Sequence, residues 1–292
     1  MMSRFVRLSM ILLLFSVYHA DNVMGQDSPM VRVTTTDGNV FLGSLISEDA
    51  TEIRLDVSGV GIVTIERTKV RSIDRLGSGN IRNGVYWHDN PQPTRYFFST
   101  NAIGMKKGKW YYQNTWILFN NVNTGITDNI TVGAGIIPLF LFGGTPETPF
   151  WLIPKVTYNI PDSDFHIGSG ALIGGVLGSD IGGFGIVFGN LTYGNTDRNV
   201  TLGLGYGYAG STWATRPVLN LNGMTRISLN WYLLGESYFV PGVNDGGVAI
   251  LGARYAPERF AFDFGIIMPL DGSGELVSAP WLGITIPFGK GR

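Results

Sequence analysis

Hydrophobic and polar positions alternate without a break in NVTLGLGYGYAG, residues 199–210. In an extended strand Leu202, Leu204 and Tyr206 share one face, while Thr201 and the glycines share the other. No charged residue lies on either face. A half-buried strand of a soluble protein turns its apolar face to a core and exposes polar and charged side chains on the other face. The missing polar face therefore predicts a strand of a closed membrane β-barrel, with lipid on the apolar side.

Eleven further stretches bounded by turn signals have the length of a tilted membrane strand, which is about ten residues. The predicted strands are 94–100, 109–121, 129–140, 150–160, 165–177, 182–194, 199–210, 216–227, 229–240, 246–257, 259–270 and 279–289. Alternate connections are short, at 122–128, 161–164, 195–198, 228 and 256–258, and the longer ones are 101–108, 141–149, 241–245 and 271–278. Short periplasmic turns and long external loops are the rule for such barrels. The pattern predicts about twelve strands and a periplasmic N-terminal side.

Residues 26–77 have a different pattern, with five short, charged, alternating strands between 30 and 76. Turn signals, among them Asp37-Gly38 and Ser58-Gly59, separate them. We predict a small water-soluble β domain of SH3 size in the periplasm. Residues 78–93, rich in Gly, Asn, Ser and Pro, are predicted to link it to a barrel at 94–292.

The first 25 residues resemble a secretory signal. Arg4 and Arg7 precede the apolar run 8–17, and small residues before Gln26 offer a cleavage site. The run is shorter than the roughly 20 residues that a membrane-spanning helix needs. We expect an exported protein located in the bacterial outer membrane, with outer-membrane lipid around the barrel.

Composition supports the barrel. The chain has 292 residues, 41 glycines, 12% aromatic and only 15% charged residues, whereas charged residues make up roughly a quarter of an average soluble domain. It has no cysteine, which excludes disulfides and thiolate sites. The net charge is −1, and residues 30–76 carry six basic and seven acidic side chains, so nucleic acid is not an expected partner. No cluster has metal-ligand spacing, and no cofactor is predicted.

Two resemblances add to this pattern. The segments NPQPTRYFF (90–98) and GITDN (125–129), with similarity through the rest of the chain from Asn90, resemble a group of uncharacterised, porin-like bacterial outer-membrane β-barrel proteins. That resemblance implies a fold and no particular activity. Thr36-Asp37-Gly38 followed by Gly43, Leu45 and Asp49 resembles the first motif of Sm-like domains, in which a glycine allows a strand to bend sharply.

Five charged residues are predicted to face the barrel lumen. Strand parity places them opposite the apolar exterior: they are Lys155, Arg226, Glu236, Arg254 and Asp263. They could form a selectivity constriction, an anion site or a closed network of salt bridges.

Enzymatic catalysis is one of three functional hypotheses. An outer-membrane lipid hydrolase would need Ser with His, and the candidate pairs are His166 with Ser163 or with Ser169. His166 and Ser169 have opposite parity, and no G-x-S-x-G motif is present. We therefore expect no enzymatic activity and no catalytic residue.

Two functions remain open. In the first, the barrel is a channel for small solutes, and the five charges line it. In the second, the barrel is closed and anchors the domain at 30–76 to a periplasmic protein or to the cell wall.

Overall fold

A computed structural model describes residues 29–76, 81–82, 85–142, 147–180, 182–242, 247–270 and 279–289. The predicted secretory signal at 1–25 lies outside the described residues, as does part of the predicted linker. The described chain divides into a small unit that ends at Asp89 and a large unit that begins at Asn90. In the described ranges no helix has the length and apolar character needed to cross a bilayer.

The small unit is a five-stranded antiparallel sheet. Its strands are β1 (Met30–Thr35), β2 (Val40–Glu48), β3 (Glu52–Val57), β4 (Gly61–Glu66) and β5 (Val70–Arg75), in the order β4-β3-β2-β1-β5. Val31, Val33, Ile53 and Leu55 form a fully buried core. Two short strands, β6 (Ile81–Arg82) and β7 (Val85–Tyr86), pair with each other after this sheet.

Strand β2 passes very close to β3 at Gly43. A side chain at Gly43 would place its Cβ 2.5 Å from the carbonyl oxygen of Asp56 on β3, so only glycine fits there. The register shifts two residues later, between Leu45 and Ser47. A bulge of this kind increases the bend and twist of a strand.

The large unit is a closed antiparallel barrel of twelve strands, which confirms the predicted fold class. Its strands are β8 (Lys109–Thr115), β9 (Phe119–Gly125), β10 (Ile130–Ile136), β11 (Thr148–Asn159), β12 (Phe165–Leu177), β13 (Phe184–Gly194), β14 (Arg198–Ala209), β16 (Val218–Ser228), β17 (Trp231–Phe239), β18 (Gly247–Tyr255), β19 (Ala261–Pro269) and β20 (Ala279–Gly289). A two-residue strand, β15 (Thr212–Trp213), pairs antiparallel with the end of β14 at Tyr208 and Ala209. Strand β20 pairs with β8 from Gly283 to Gly289 and closes the ring.

Two predicted strands were wrong, and their errors cancel in the count. Residues 94–100 form no barrel strand, and the predicted strand 109–121 is two strands, β8 and β9, joined by a tight turn at 116–118. Trp116 and Ile117 take positive φ angles of 51° and 67° in that turn. Neither residue type favours this conformation, so the sequence carries no turn signal there.

In β14 the structure agrees with the prediction of which side chains face outward and which face inward. Leu202 and Leu204 of β14 are 57% and 46% exposed, whereas Thr201, which precedes Leu202 in the same strand, is fully buried. At this strand the exterior is therefore apolar, and the interior face carries Thr201 and glycines. Both Lys109, where the ring begins, and Gly289, where it ends, lie at the end of the barrel that carries the connections 126–129, 160–164, 195–197, 229–230 and 256–260.

Candidate functional site: a chain segment bound inside the barrel

Residues 90–107, here called the plug segment, lie inside the barrel. Their polar contacts reach inward-facing side chains of eight wall strands, namely Tyr111, Gln113, Thr131, Lys155, Asn190, Thr192, Asn199, Thr201, Met224, Glu236 and Arg254. The segment begins near the short turn at 195–197, where Asn90 donates to the carbonyl of Thr196 at 2.8 Å. It ends near the short turn at 126–129, where the amide of Lys107 donates to Asp128 at 2.8 Å. The segment therefore enters and leaves the barrel at the end with the short turns.

The middle of the plug segment folds back on itself. The amide of Tyr96 donates to the carbonyl of Ser99 at 3.0 Å, and the amide of Asn101 donates to that of Thr94 at 3.1 Å. Phe97 and Phe98 form the tip between them. In the described part of the chain, no backbone ladder joins residues 90–107 to the wall. Buried backbone groups need partners, and charged wall side chains supply many of them.

Glu236 of β17 binds the tip. Its carboxylate accepts hydrogen bonds from the backbone amides of Phe97, Phe98 and Ser99 at 2.9, 3.0 and 2.9 Å, and from the hydroxyl of Tyr238. Successive backbone amides that converge in this way form an anion-binding concavity. Only 1% of Glu236 is exposed, so its charge is stabilised by these donors instead of by water.

Arg254 of β18 binds the other side of the tip. Its Nε and Nη2 donate to the two carboxylate oxygens of Asp263 at 2.6 and 3.0 Å. Its Nη1 donates to the carbonyl of Gln92 at 2.9 Å, and Nη2 also donates to that of Tyr96 at 3.0 Å. Both charged residues are buried, with 0% and 2% exposure. The bidentate pair orients the guanidinium so that its remaining donors face the plug segment.

Lys155 of β11 binds the returning half of the segment. Its ammonium group donates to Thr100 Oγ1 at 2.8 Å and to the carbonyls of Asn101 and Ile103 at 3.0 and 3.1 Å. An ammonium group has three donors, and all three are used here. Close packing accompanies these bonds. A Cβ on Gly168 of β12 would lie 3.2 Å from the Cβ of Ala102, so the wall strand has little room for a side chain there.

Arg226 has a different role from the other four predicted lumen residues. It donates to Asp197 Oδ2 at 3.0 Å and to the carbonyl of Leu229 at 2.7 Å, and its guanidinium lies 5.2 Å from the centre of the Tyr232 ring. The hydroxyl of Tyr232 donates to the same Asp197 at 2.9 Å. This cluster joins two short turns and their strands at one end of the barrel. The structure therefore brings Lys155, Glu236, Arg254 and Asp263 together around the plug segment and leaves Arg226 at the rim.

Sequence reasoning missed the plug segment with Arg95 and Tyr96, and it also missed Asp197 at the rim. The interpretation of 94–100 as a strand followed from the turn signals that bound it. A signal against it was present, because Pro91 and Pro93 remove backbone donors immediately before the supposed strand.

The proposed serine–histidine pairs are not formed. The ring nitrogens of His166 bond to Asn159 Oδ1 at 2.7 Å and to the carbonyl of Gly194 at 2.8 Å. Ser163 bonds to the carbonyl of Ile160, and Ser169 bonds to that of Phe188. Among the residues that the structure describes, no group of three or more His, Asp or Glu side chains could hold a metal ion.

No family model matches the chain, and no curated protein matches it. Two solved structures of the KdgM porin, one in complex with disordered oligogalacturonate, each align with 62% of this chain and 98% of their own, at 8% identity and a TM-score of 0.44. A structure described as "Asymmetric conductivity of engineered proteins" has the same coverage, 10% identity and a TM-score of 0.27. The TM-scores of these three structures are below 0.5, so the description of this chain as a closed barrel of twelve strands rests on its own strand pairing.

Proposed function

We propose that the protein is an outer-membrane β-barrel whose lumen is closed at rest by its own plug segment. The observation that carries this proposal is the use of Lys155, Glu236 and Arg254 to bind the backbone of residues 90–107. Donors and acceptors that are already engaged do not form a selectivity constriction for a passing solute. The plug segment and the wall together fill the part of the lumen where the sequence predicts a channel.

The outer-membrane location is supported by the apolar exterior and the closed ring. Irregular backbone is tolerated at membrane depth only where it is buried in protein or lines a water-filled cavity, and the plug segment is buried inside the wall. The predicted secretory signal at 1–25 agrees with export. Short and long connections between strands alternate in the order expected when the N-terminal side of the barrel is periplasmic.

In the resting state the barrel acts as an anchor for the domain at 30–76. That domain faces the periplasm in this proposal, and it binds a periplasmic protein or the cell wall. Its core is complete without the barrel, since Val31, Val33, Ile53 and Leu55 are buried within one sheet.

A gated channel for small solutes is the second candidate, and one observation favours it. The plug segment is held by side-chain hydrogen bonds and by no backbone ladder in the described chain. It can therefore leave the lumen without breaking any strand pairing of the wall. A ligand or partner that competes for Glu236 or Arg254 would open the barrel.

The test combines cell fractionation with electrical recording. The mature chain is expected in the outer-membrane fraction, with residues 30–76 protected from external protease in intact cells. Purified protein that migrates as a folded barrel on an unheated gel is expected to give no steady conductance in a planar bilayer. Steady conductance from the unmodified protein would reject the closed resting state, and recovery from the soluble fraction would reject the location.

A further inference from the structure

A cavity inside the barrel lies between the tip of the plug segment and the end opposite the short turns. It has a volume of about 200 Å³. Phe97 and Phe98 of the tip line it from one side, and residues at the far ends of wall strands, such as Trp151 and Phe184, line the rest. A cavity of roughly 150 Å³ lined by apolar side chains is large enough for benzene. The present cavity therefore has room for one ring with a small substituent.

Aromatic residues make up nearly half of the cavity lining. The ring of Trp281 lies 5.7 Å from that of Phe97 and 5.0 Å from that of Trp116. The ring of Phe119 continues the series, at 5.8 Å from Trp116 and 6.2 Å from Trp151. These centroid distances suit offset or edge-to-face contacts, and another flat ring would find the same contacts here.

Three polar groups in the lining have unused hydrogen-bonding capacity. Both side-chain atoms of Asn121 and the indole nitrogen of Trp281 have no partner, although these residues are only 5% and 4% exposed. Arg95 is 9% exposed, and its guanidinium has one weak bond, 3.5 Å to Gln113 Oε1. In the described chain it has no ion pair with a carboxylate. A buried polar group without a partner is costly, so such groups mark a place for a ligand.

The charge balance indicates the sign of that ligand. Among the residues that the structure describes, the buried Lys, Arg, Asp and Glu side chains are four cations, Arg95, Lys155, Arg226 and Arg254, and two carboxylates, Glu236 and Asp263. Arg254 is paired with Asp263, Arg226 is paired with the less buried Asp197, and Lys155 is surrounded by oxygen atoms of the plug segment. Arg95 is the cation that lines the aromatic cavity, and a carboxylate is its natural bidentate partner.

We propose that this cavity binds a small apolar carboxylate, of the size of one aromatic ring. Its carboxylate pairs with Arg95 and accepts from the amide of Asn121 and the indole N–H of Trp281. Its apolar body lies among the rings of Phe97, Trp116 and Trp151. This site is a property of the folded barrel and is independent of whether the barrel conducts.

The probe is benzoate, added to the full-length mature protein refolded in detergent, with binding measured by calorimetry and by tryptophan fluorescence. Benzoate should bind at least about tenfold more tightly than benzamide, which lacks the charge, or acetate, which lacks the ring. Arg95→Gln should weaken benzoate binding by roughly tenfold or more, while the exposed control Arg216→Gln should leave it unchanged. Equal binding of benzoate and benzamide, or no binding of benzoate, would overturn the proposal.

A second variant tests the position of the site without changing its charge. Leu172 of β12 lines the same cavity, so Leu172→Trp should fill it and abolish benzoate binding while Arg95 and Asn121 remain. Migration on an unheated gel checks that each variant is folded. If a folded Leu172→Trp protein binds benzoate as the original chain does, the carboxylate is bound elsewhere and the proposal is wrong.

Discussion

The carboxylate of Glu236 lies 2.9 Å from the backbone nitrogen of Phe97, a residue 139 positions earlier in the chain. The amides of Phe98 and Ser99 donate to the same group. One acidic side chain of the wall therefore satisfies three consecutive amides of a segment that has no strand partner. This contact joins the wall to the tip of the plug segment.

Replacing Glu236 by Gln should loosen this tip. The variant loses the negative charge and one acceptor oxygen, and hydrogen bonds to a charged group contribute about 1.5–3 kcal/mol each. We expect brief channel openings in a planar bilayer where the original protein is silent. Glu147→Gln, a change at an exposed position of the same unit, should remain silent. If folded Glu236→Gln protein gives no channel openings, Glu236 is not needed to keep the barrel closed.

Asp263→Asn should be strongly destabilising. It leaves the guanidinium of Arg254 buried without its bidentate carboxylate, which typically costs about 3–5 kcal/mol. The measurement is the free energy of unfolding in urea, for Asp263→Asn, Arg254→Met and the double variant. Because the two side chains form one pair, the double variant should lose less than the sum of the single losses. Additive losses would contradict the pairing.

Burial of the plug segment predicts the reactivity of introduced cysteines, and the chain has none of its own. A cysteine in place of Asn101, which is 0% exposed, should react slowly with a membrane-impermeant thiol reagent. A cysteine in place of Ser211, in an exposed loop, should react rapidly. Mass spectrometry measures both rates on the folded protein. Equal rates would mean that residues 90–107 are outside the lumen in solution.

The small domain has a predictable acid response at Glu48. Hydrogen bonds from Arg67 and then Arg75, at 2.7 and 3.0 Å, lower the pKa of its carboxyl below the ordinary value of 4.5. The carboxylate therefore stabilises the fold above pH 4.5, and this contribution is lost as the pH falls through the lowered pKa. A pH titration of the Glu48 carboxyl by NMR should show its pKa rising in Arg67→Gln. An unchanged value would exclude Arg67 as the cause.

Much of the wall could be predicted from the sequence, because alternation in a strand is a local property. Asp263 is flanked by Phe262 and Phe264, so its inward position follows from parity, and the structure buries it while leaving Phe262 39% exposed. The turn at Trp116 and Ile117 could not be predicted, since neither residue is typical of a turn.

The plug segment was beyond local reasoning for a different reason. The side chains of Glu236 and Arg254, which bind its backbone, are more than 130 residues away in the chain. No periodic pattern of apolar residues connects them to residues 92–99. Parity places these charges in the lumen but does not say what they bind. The sequence therefore left a constriction, an anion site and a closed network as open interpretations of the same five charges.

The most direct test of closure is the removal of the plug segment itself. Residues 92–105 are replaced by a short Gly-Ser linker, and the conductance of this variant in a planar bilayer is compared with that of the unmodified protein. We predict silence from the unmodified barrel and steady conductance from the folded variant. Equal conductance of the two proteins, or silence of both, would contradict the claim that residues 90–107 close the barrel.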